Sequence, residues 1–69
     1  MHPQVKAIDQ RREKAGIPRA RVLARAKVSS SAFALWQNGA PPSMRKLDAF
    51  AAALDELIDE EARIAAIRA

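Results

Sequence analysis

The sequence predicts an all-α domain of four to five short helices, and three observations lead there. Alanine, the strongest helix former, supplies 16 of the 34 residues that count as hydrophobic. Residues that favour strands are sparse, with three Val, five Ile and neither Thr nor Tyr. Apolar positions recur at helical spacing between Gly, Pro and Ser residues placed where helices stop and start. At 69 residues the chain holds one small core, and an architecture of local contacts suits it best.

Each element has a local cause. A first helix is expected from about Pro3 to Ala15, with Val5, Ile8 and Ala15 inward and Arg11 and Lys14 outward. Gly16 follows at the position where a helix end favours positive φ. Pro18 opens a second helix, because its fixed φ suits a first turn and its missing N–H costs nothing there. Val22, Leu23 and Ala26 form its apolar stripe, and it ends near Lys27. Ser29 is a suitable N-cap for a third helix from Ser30 to about Asn38, stopped by Gly39 and the run Ala40-Pro41-Pro42. Ser43 caps a fourth helix that starts at Met44, where Met44, Leu47, Phe50, Ala51 and Leu54 follow the 3.6-residue period. Beyond Leu54 the stripe continues through Leu57, Ile58, Ala62, Ile64, Ala65 and Ile67. The fourth helix either runs on to about Arg68 or breaks near Asp55 into a fifth.

Composition removes several function classes. With no cysteine there is no disulfide, thiolate zinc site or cysteine nucleophile. His2 has no second ligand at metal spacing and receives no role, so neither cofactor nor metal is expected. No apolar run approaches the roughly 20 residues of a membrane span, and the N-terminus lacks the apolar segment of a secretory signal. A cytoplasmic protein without a membrane or small-molecule partner is expected. The carboxylates from Asp55 to Glu61 lack a nucleophile, a Gly-rich loop or a metal partner, so a solvated helix face is expected there and no enzyme.

Charge is unevenly distributed. Residues 1–46 carry ten Lys and Arg against Asp9 and Glu13, a net of +8, whereas residues 47–69 carry Arg63 and Arg68 against six carboxylates, a net of −4. A basic body suits a polyanion, and the acidic segment should point away from it.

The informative pattern is a short helix, a tight turn and a second short helix with a fixed tail. It reads Pro18-Arg-Ala-Arg-Val-Leu-Ala-Arg-Ala, then Lys27-Val28-Ser29, then Ser30-Ser-Ala-Phe-Ala-Leu-Trp-Gln-Asn-Gly39. Pro41-Pro42 and Leu47-Asp-Ala-Phe-Ala-Ala-Ala-Leu54 follow. Over roughly residues 5–55 this order resembles the helix-turn-helix of the phage repressor and Cro family, the Xre-type regulators. The resemblance implies a repressor-like DNA-binding domain over residues 1–55, with 56–69 as a helical extension. Three positions depart from the family pattern: Lys27 stands where glycine is usual, Leu23 where alanine is usual, and the ion pair between helix one and the end of helix three falls on Arg12 and Gln37, which could form only a hydrogen bond.

Site residues follow from helical geometry. Phe33 and Trp36, three apart, share a face that must be the core face, although Trp36 could also stack on a base. Ser30, Ser31, Ala34 and Leu35 then face outward as candidates for base edges in a major groove. Serine donates or accepts there, and Ala or Leu can meet a thymine methyl. Arg19 and the amides opening the second helix suit a phosphate. Asn38, Gln37, Arg45 and Lys46 on the far side, with Arg12 and Arg11, are further phosphate candidates. Leu57, Ile58, Ile64 and Ile67 are too many large side chains for a dangling tail; they fold back on the core or pair two copies, and a homodimer is favoured because such modules read paired half-sites.

The sequence therefore points to a regulator that binds double-stranded DNA in a sequence-specific way and represses by occupying an operator. The competing reading is a helical protein-interaction module, an antitoxin or adaptor, that uses Leu35 and the C-terminal helix. That reading maps binding to Leu57, Ile58 and Ile64 rather than to Arg19, Asn38 and Arg45.

Overall fold

A computed structural model describes residues 1–68; Ala69, the last residue of the expected extension, lies outside the described residues. Four helices follow in order: α1 (Pro3–Ala15), α2 (Arg19–Ala26), α3 (Ser30–Gln37) and α4 (Met44–Arg68). Among the described residues there is no strand. The fourth helix is continuous over 25 residues, so there is no soft break at Asp55 and no fifth helix among the described residues.

Three helix ends share one device. At the end of α1 the Gly16 N–H donates to Glu13 O and the Ile17 N–H to Arg12 O, with Gly16 at φ 71°. After α2 the Lys27 N–H donates to Ala24 O and the Val28 N–H to Leu23 O, with Lys27 at φ 59°. After α3 the Gly39 N–H donates to Trp36 O and the Ala40 N–H to Leu35 O, with Gly39 at φ 96°. These paired bonds occupy carbonyls that the helix leaves without partners, and the left-handed residue makes them reachable. Two of the three positions are glycine; Lys27 adopts the same conformation with a Cβ. The starts are equally local. The Ser29 Oγ accepts from the Ala32 N–H at 3.1 Å, and the Ser43 Oγ from the Lys46 N–H at 3.2 Å. His2, which the sequence left without a role, caps α1: its Nδ1 accepts from the Gln4 N–H at 3.3 Å.

The core is built on α4, which packs chiefly against α2 and α1. Phe50, Leu54, Leu57, Val5 and Val22 are its most enclosed side chains, and Leu23, Phe33, Trp36, Leu47 and Ala53 join them. Ile17 and Val28, one in each of the first two connections, are buried as well. The inward assignments of Ala15 and Met44 need correction. Ala15 is exposed, because it ends α1 just before the left-handed stop at Gly16, while Ile8 is half-buried and packs against the core as expected. Met44, the first residue of α4, is exposed, and burial on that helix begins at Leu47.

Leu57 also corrects the expected dimer surface. It is 1 % exposed and part of the core, and Ile58 is half-buried against the same cluster. At about 1.5 Å per residue α4 is roughly 37 Å long, which accounts for most of the 42 Å long axis of the molecule. Its last two turns, residues 61–68, are exposed throughout, and Ile67 is 84 % exposed.

The cost of holding a side chain in the left-handed region makes Lys27 a site of stored strain, about 1 kcal/mol. Lys27→Gly is expected to raise thermal stability by about 0.5–1 kcal/mol, measured by calorimetry. A lower melting temperature for that variant would show that the lysine side chain contributes more than its backbone costs.

Candidate nucleic-acid interface

The short helix α3 is held by its two aromatic residues. Phe33 and Trp36 are 3 % and 4 % exposed. Their rings meet each other at 5.9 Å and meet Phe50 of α4 at 5.8 and 6.0 Å between centroids, all tilted or edge-on, the arrangements that ring quadrupoles favour. The Trp36 carbonyl also accepts the His2 N–H at 3.0 Å, which ties the N-terminus to the end of α3. With that face inward, Ser30, Ser31, Ala34, Leu35, Gln37 and Asn38 are all exposed. Trp36 is a core residue and does not offer its ring for stacking.

An ion cluster sits beside this anchor. Asp9 of α1 is 5 % exposed and is the one buried charged residue among those described. It accepts from the Arg12 Nε at 2.7 Å and from the Arg19 guanidinium at 2.9 Å through its other oxygen. Arg12 donates further to the Ile17 carbonyl at 2.9 Å. The Arg19 guanidinium carbon lies 4.7 Å from the centre of the Phe33 ring, over its face. Asp9 thus joins α1, the α1–α2 connection and α2, and through Arg19 it reaches α3. Burial pushes the Asp9 carboxyl up, but hydrogen bonds from Arg12 and Arg19, with their charges, outweigh it and hold the group below its ordinary value.

Two phosphate assignments change as a result. Arg12 is enclosed and spends its donors on Asp9, Glu13 and Ile17, so it is not free for a phosphate, and it makes no bond to Gln37. Arg19 is pinned between Asp9 and Phe33, which makes it a residue that positions α3 and leaves only its outer edge to solvent.

The acidic stretch of α4 is largely exposed, as expected of a solvated face, but its carboxylates are paired. It lies across the basic side of α1 and α2. Asp55 pairs with Arg11, Glu61 with Arg21 at 2.6 Å, and Glu56 and Glu60 with Arg25 at 3.2 and 2.7 Å. Within α4, Asp59 pairs with Arg63 at 2.6 Å. The Arg25 bond holds Glu60 below the ordinary carboxylate value and raises Arg25 in turn. Exposed pairs of this kind add little to stability and weaken with salt. Their larger effect is on the charge that remains. Among the described residues the cations without a carboxylate partner are Lys6, Lys14, Lys27, Arg45, Lys46 and Arg68. Three of these flank α3 in the chain: Lys27 precedes it, and Arg45 and Lys46 open the helix that follows.

The expected set therefore divides. Ser30, Ser31, Ala34 and Leu35 share one exposed helix face, and Gln37 and Asn38 lie at its end. Arg45 and Lys46 are exposed and unpaired. Lys27, which the sequence singled out only as a departure from the family's turn, joins them. Glu56 and Glu60, one turn apart on α4, both reach Arg25, while Arg21 reaches Glu61, so the arginines of α2 are taken up and Lys27 is left unpaired. Beside the amino end of α3 lies an open hollow of about 520 Å³ lined by Arg19, Ala20, Leu23, Ala24, Val28, Ser29 and Ser30. Among the described residues no three His, Cys, Asp or Glu side chains converge as a metal site would require, and no helix is long and apolar enough to cross a membrane. No family model, curated protein or solved structure matches the chain.

Because the folded-state value of Asp9 is depressed, its contribution is fully present above the ordinary carboxylate value of 3.8 and is lost as pH falls below it. Asp9→Asn is expected to cost about 2–4 kcal/mol at neutral pH, with the exposure of Arg19 keeping it from the top of the range for buried pairs. In chemical denaturation the gap between wild type and variant should narrow steadily below pH 3.8. A gap of constant size across that range would show that the carboxylate's charge contributes nothing.

Proposed function

We propose that the protein binds double-stranded DNA with α3 as its recognition helix, and that it acts as a transcriptional repressor by occupying an operator. The observation that carries this reading is an uncharged exposed face on α3, mostly of small side chains, on a helix that unpaired cations flank in the chain on both sides. A helix enters a major groove only if its leading side is not crowded, and neutral small side chains meet that condition. The α2–Lys27-Val28-Ser29–α3 unit then serves as a helix-turn-helix, in keeping with the resemblance to the phage repressor and Cro family.

In this reading Lys27, Arg45 and Lys46 meet phosphates, with Gln37 and Asn38 assisting from the end of α3. The hollow beside Ala20, Ala24, Ser29 and Ser30 leaves room for a sugar–phosphate strand to approach. Ser30, Ser31, Ala34 and Leu35 face the base edges. Phosphate contacts supply most of the affinity, because they release counterions whatever the sequence. No catalytic step is involved.

The protein-interaction reading loses ground. Of the residues that would carry it, Leu57 is core and Ile58 half-buried, while Leu35 and Ile64 are exposed. Ile64 and Ile67 remain on the projecting end of α4, and we assign them to pairing two copies, which suits half-sites about 34 Å apart.

Two measurements test these assignments. In gel shifts of random-sequence duplexes across a salt series, Arg45→Ala and Lys46→Ala should each reduce the slope of log affinity against log salt by about one. Arg21→Ala and Arg25→Ala, whose charges are already spent on α4, should leave that slope unchanged. Affinity without salt dependence would overturn the DNA reading. In sedimentation velocity the wild-type chain should show a concentration-dependent dimer that Ile67→Asp abolishes, and a wild type that is monomeric at every concentration would overturn the dimer.

A further inference from the structure

Leu35 is the exception among the leucines. Leu23, Leu47, Leu54 and Leu57 are all buried, whereas Leu35 is 61 % exposed in the middle of α3. Nothing in the fold requires it there, because Phe33 and Trp36 already fill the inward side of the helix. Exposing a large aliphatic side chain forgoes the gain from burying it elsewhere. Ala34 beside it adds a second methyl to the same surface.

The rest of α3 narrows what this apolar spot can meet. The helix carries no charge, so it has neither the arginine nor the lysine that would grip the O6 and N7 of guanine, and no carboxylate to accept from cytosine. Its serines donate or accept at any base pair and discriminate little. In a major groove the one apolar feature of a base edge is the C5 methyl of thymine. Charge complementarity supplies the occupant. The apolar spot lies on a helix that the unpaired, exposed cations Lys27, Arg45 and Lys46 flank in the chain, and a polyanion with methyl groups along its groove matches both properties.

Resting on the DNA-binding reading above, we propose that sequence preference is set by thymine methyl groups packed against Leu35 and Ala34, so that the preferred sites contain A·T pairs at the positions facing the middle of α3. Burying one methyl is worth roughly fourfold in affinity, which makes this a shallow preference on top of strong phosphate binding.

The test uses the full chain and short duplexes selected for binding from a randomised pool, with each thymine replaced singly by deoxyuridine. That exchange removes the methyl and leaves every hydrogen-bonding group in place. Leu35→Ala, at an exposed position, should keep the wild-type melting temperature. Wild type is expected to lose roughly fourfold in affinity at one or two thymines, while Leu35→Ala binds the thymine duplex more weakly and no longer responds to at least one of those replacements. If binding is salt-dependent but indifferent to every deoxyuridine, or if selected sites have only G·C pairs at the centre, the methyl proposal falls and the DNA-binding reading stands. If no duplex is bound at any salt concentration, the DNA-binding reading falls and the methyl proposal with it; capture of a protein partner that Leu35→Ala abolishes would then give the apolar spot a protein occupant.

Discussion

The cluster of Phe33, Trp36 and Phe50 decides which side of α3 faces out. In an eight-residue helix there are few contacts to set its rotation, and a turn of one residue would swing each side chain by about 100°. Three rings within 6.0 Å of one another fix that rotation. Arg19 covers the Phe33 ring from α2, and the backbone of His2 holds the Trp36 carbonyl. Helix rotation, the identity of the exposed residues and their chemistry therefore follow from one packing arrangement.

Electrostatics reinforces the same arrangement. A net charge of +4 suggests a broadly basic surface, yet most of the arginines are consumed internally. Arg12 and Arg19 share Asp9, and Arg11, Arg21 and Arg25 are laid against the acidic face of α4. The buried Asp9 cluster costs desolvation and recovers it through well-directed hydrogen bonds, an exchange that favours one relative placement of α1 and α2 more than it adds stability. Of the six cations left unpaired, Lys27, Arg45 and Lys46 flank α3 in the chain, and Lys6, Lys14 and Arg68 lie on α1 and at the end of α4.

Much of this was legible in the chain. The helix bounds at Gly16, Ser29, Gly39 and Ser43 are set within a residue or two by capping chemistry, which is local and therefore written in sequence. The inward side of α3 was legible too, because Phe and Trp three apart share a helix face, although base stacking by Trp36 stayed open until its burial was seen. Partners distant in sequence were not. Arg25 reaches Glu60 only once α2 and α4 have docked, and Asp9 gathers Arg19 only after the chain turns at Gly16. For Leu57 and Ile58 the sequence left open whether they fold back on the core or pair two copies, because the periodicity of an amphipathic helix gives its direction without the distance to which the core extends along it. Ile17 and Val28 are core residues placed in connections, where helical periodicity has nothing to say.

The exposed face of α3 is the centre of this account, and a titration of the nitrogen-15-labelled chain with duplex DNA, followed by amide resonances, addresses it most directly. The account expects the largest shifts at Lys27, Ser30, Ser31, Ala34, Leu35 and Arg45, with the buried Trp36 indole and the Arg25–Glu60 pair little changed. Shifts confined to the projecting end of α4, with α3 silent, would contradict it.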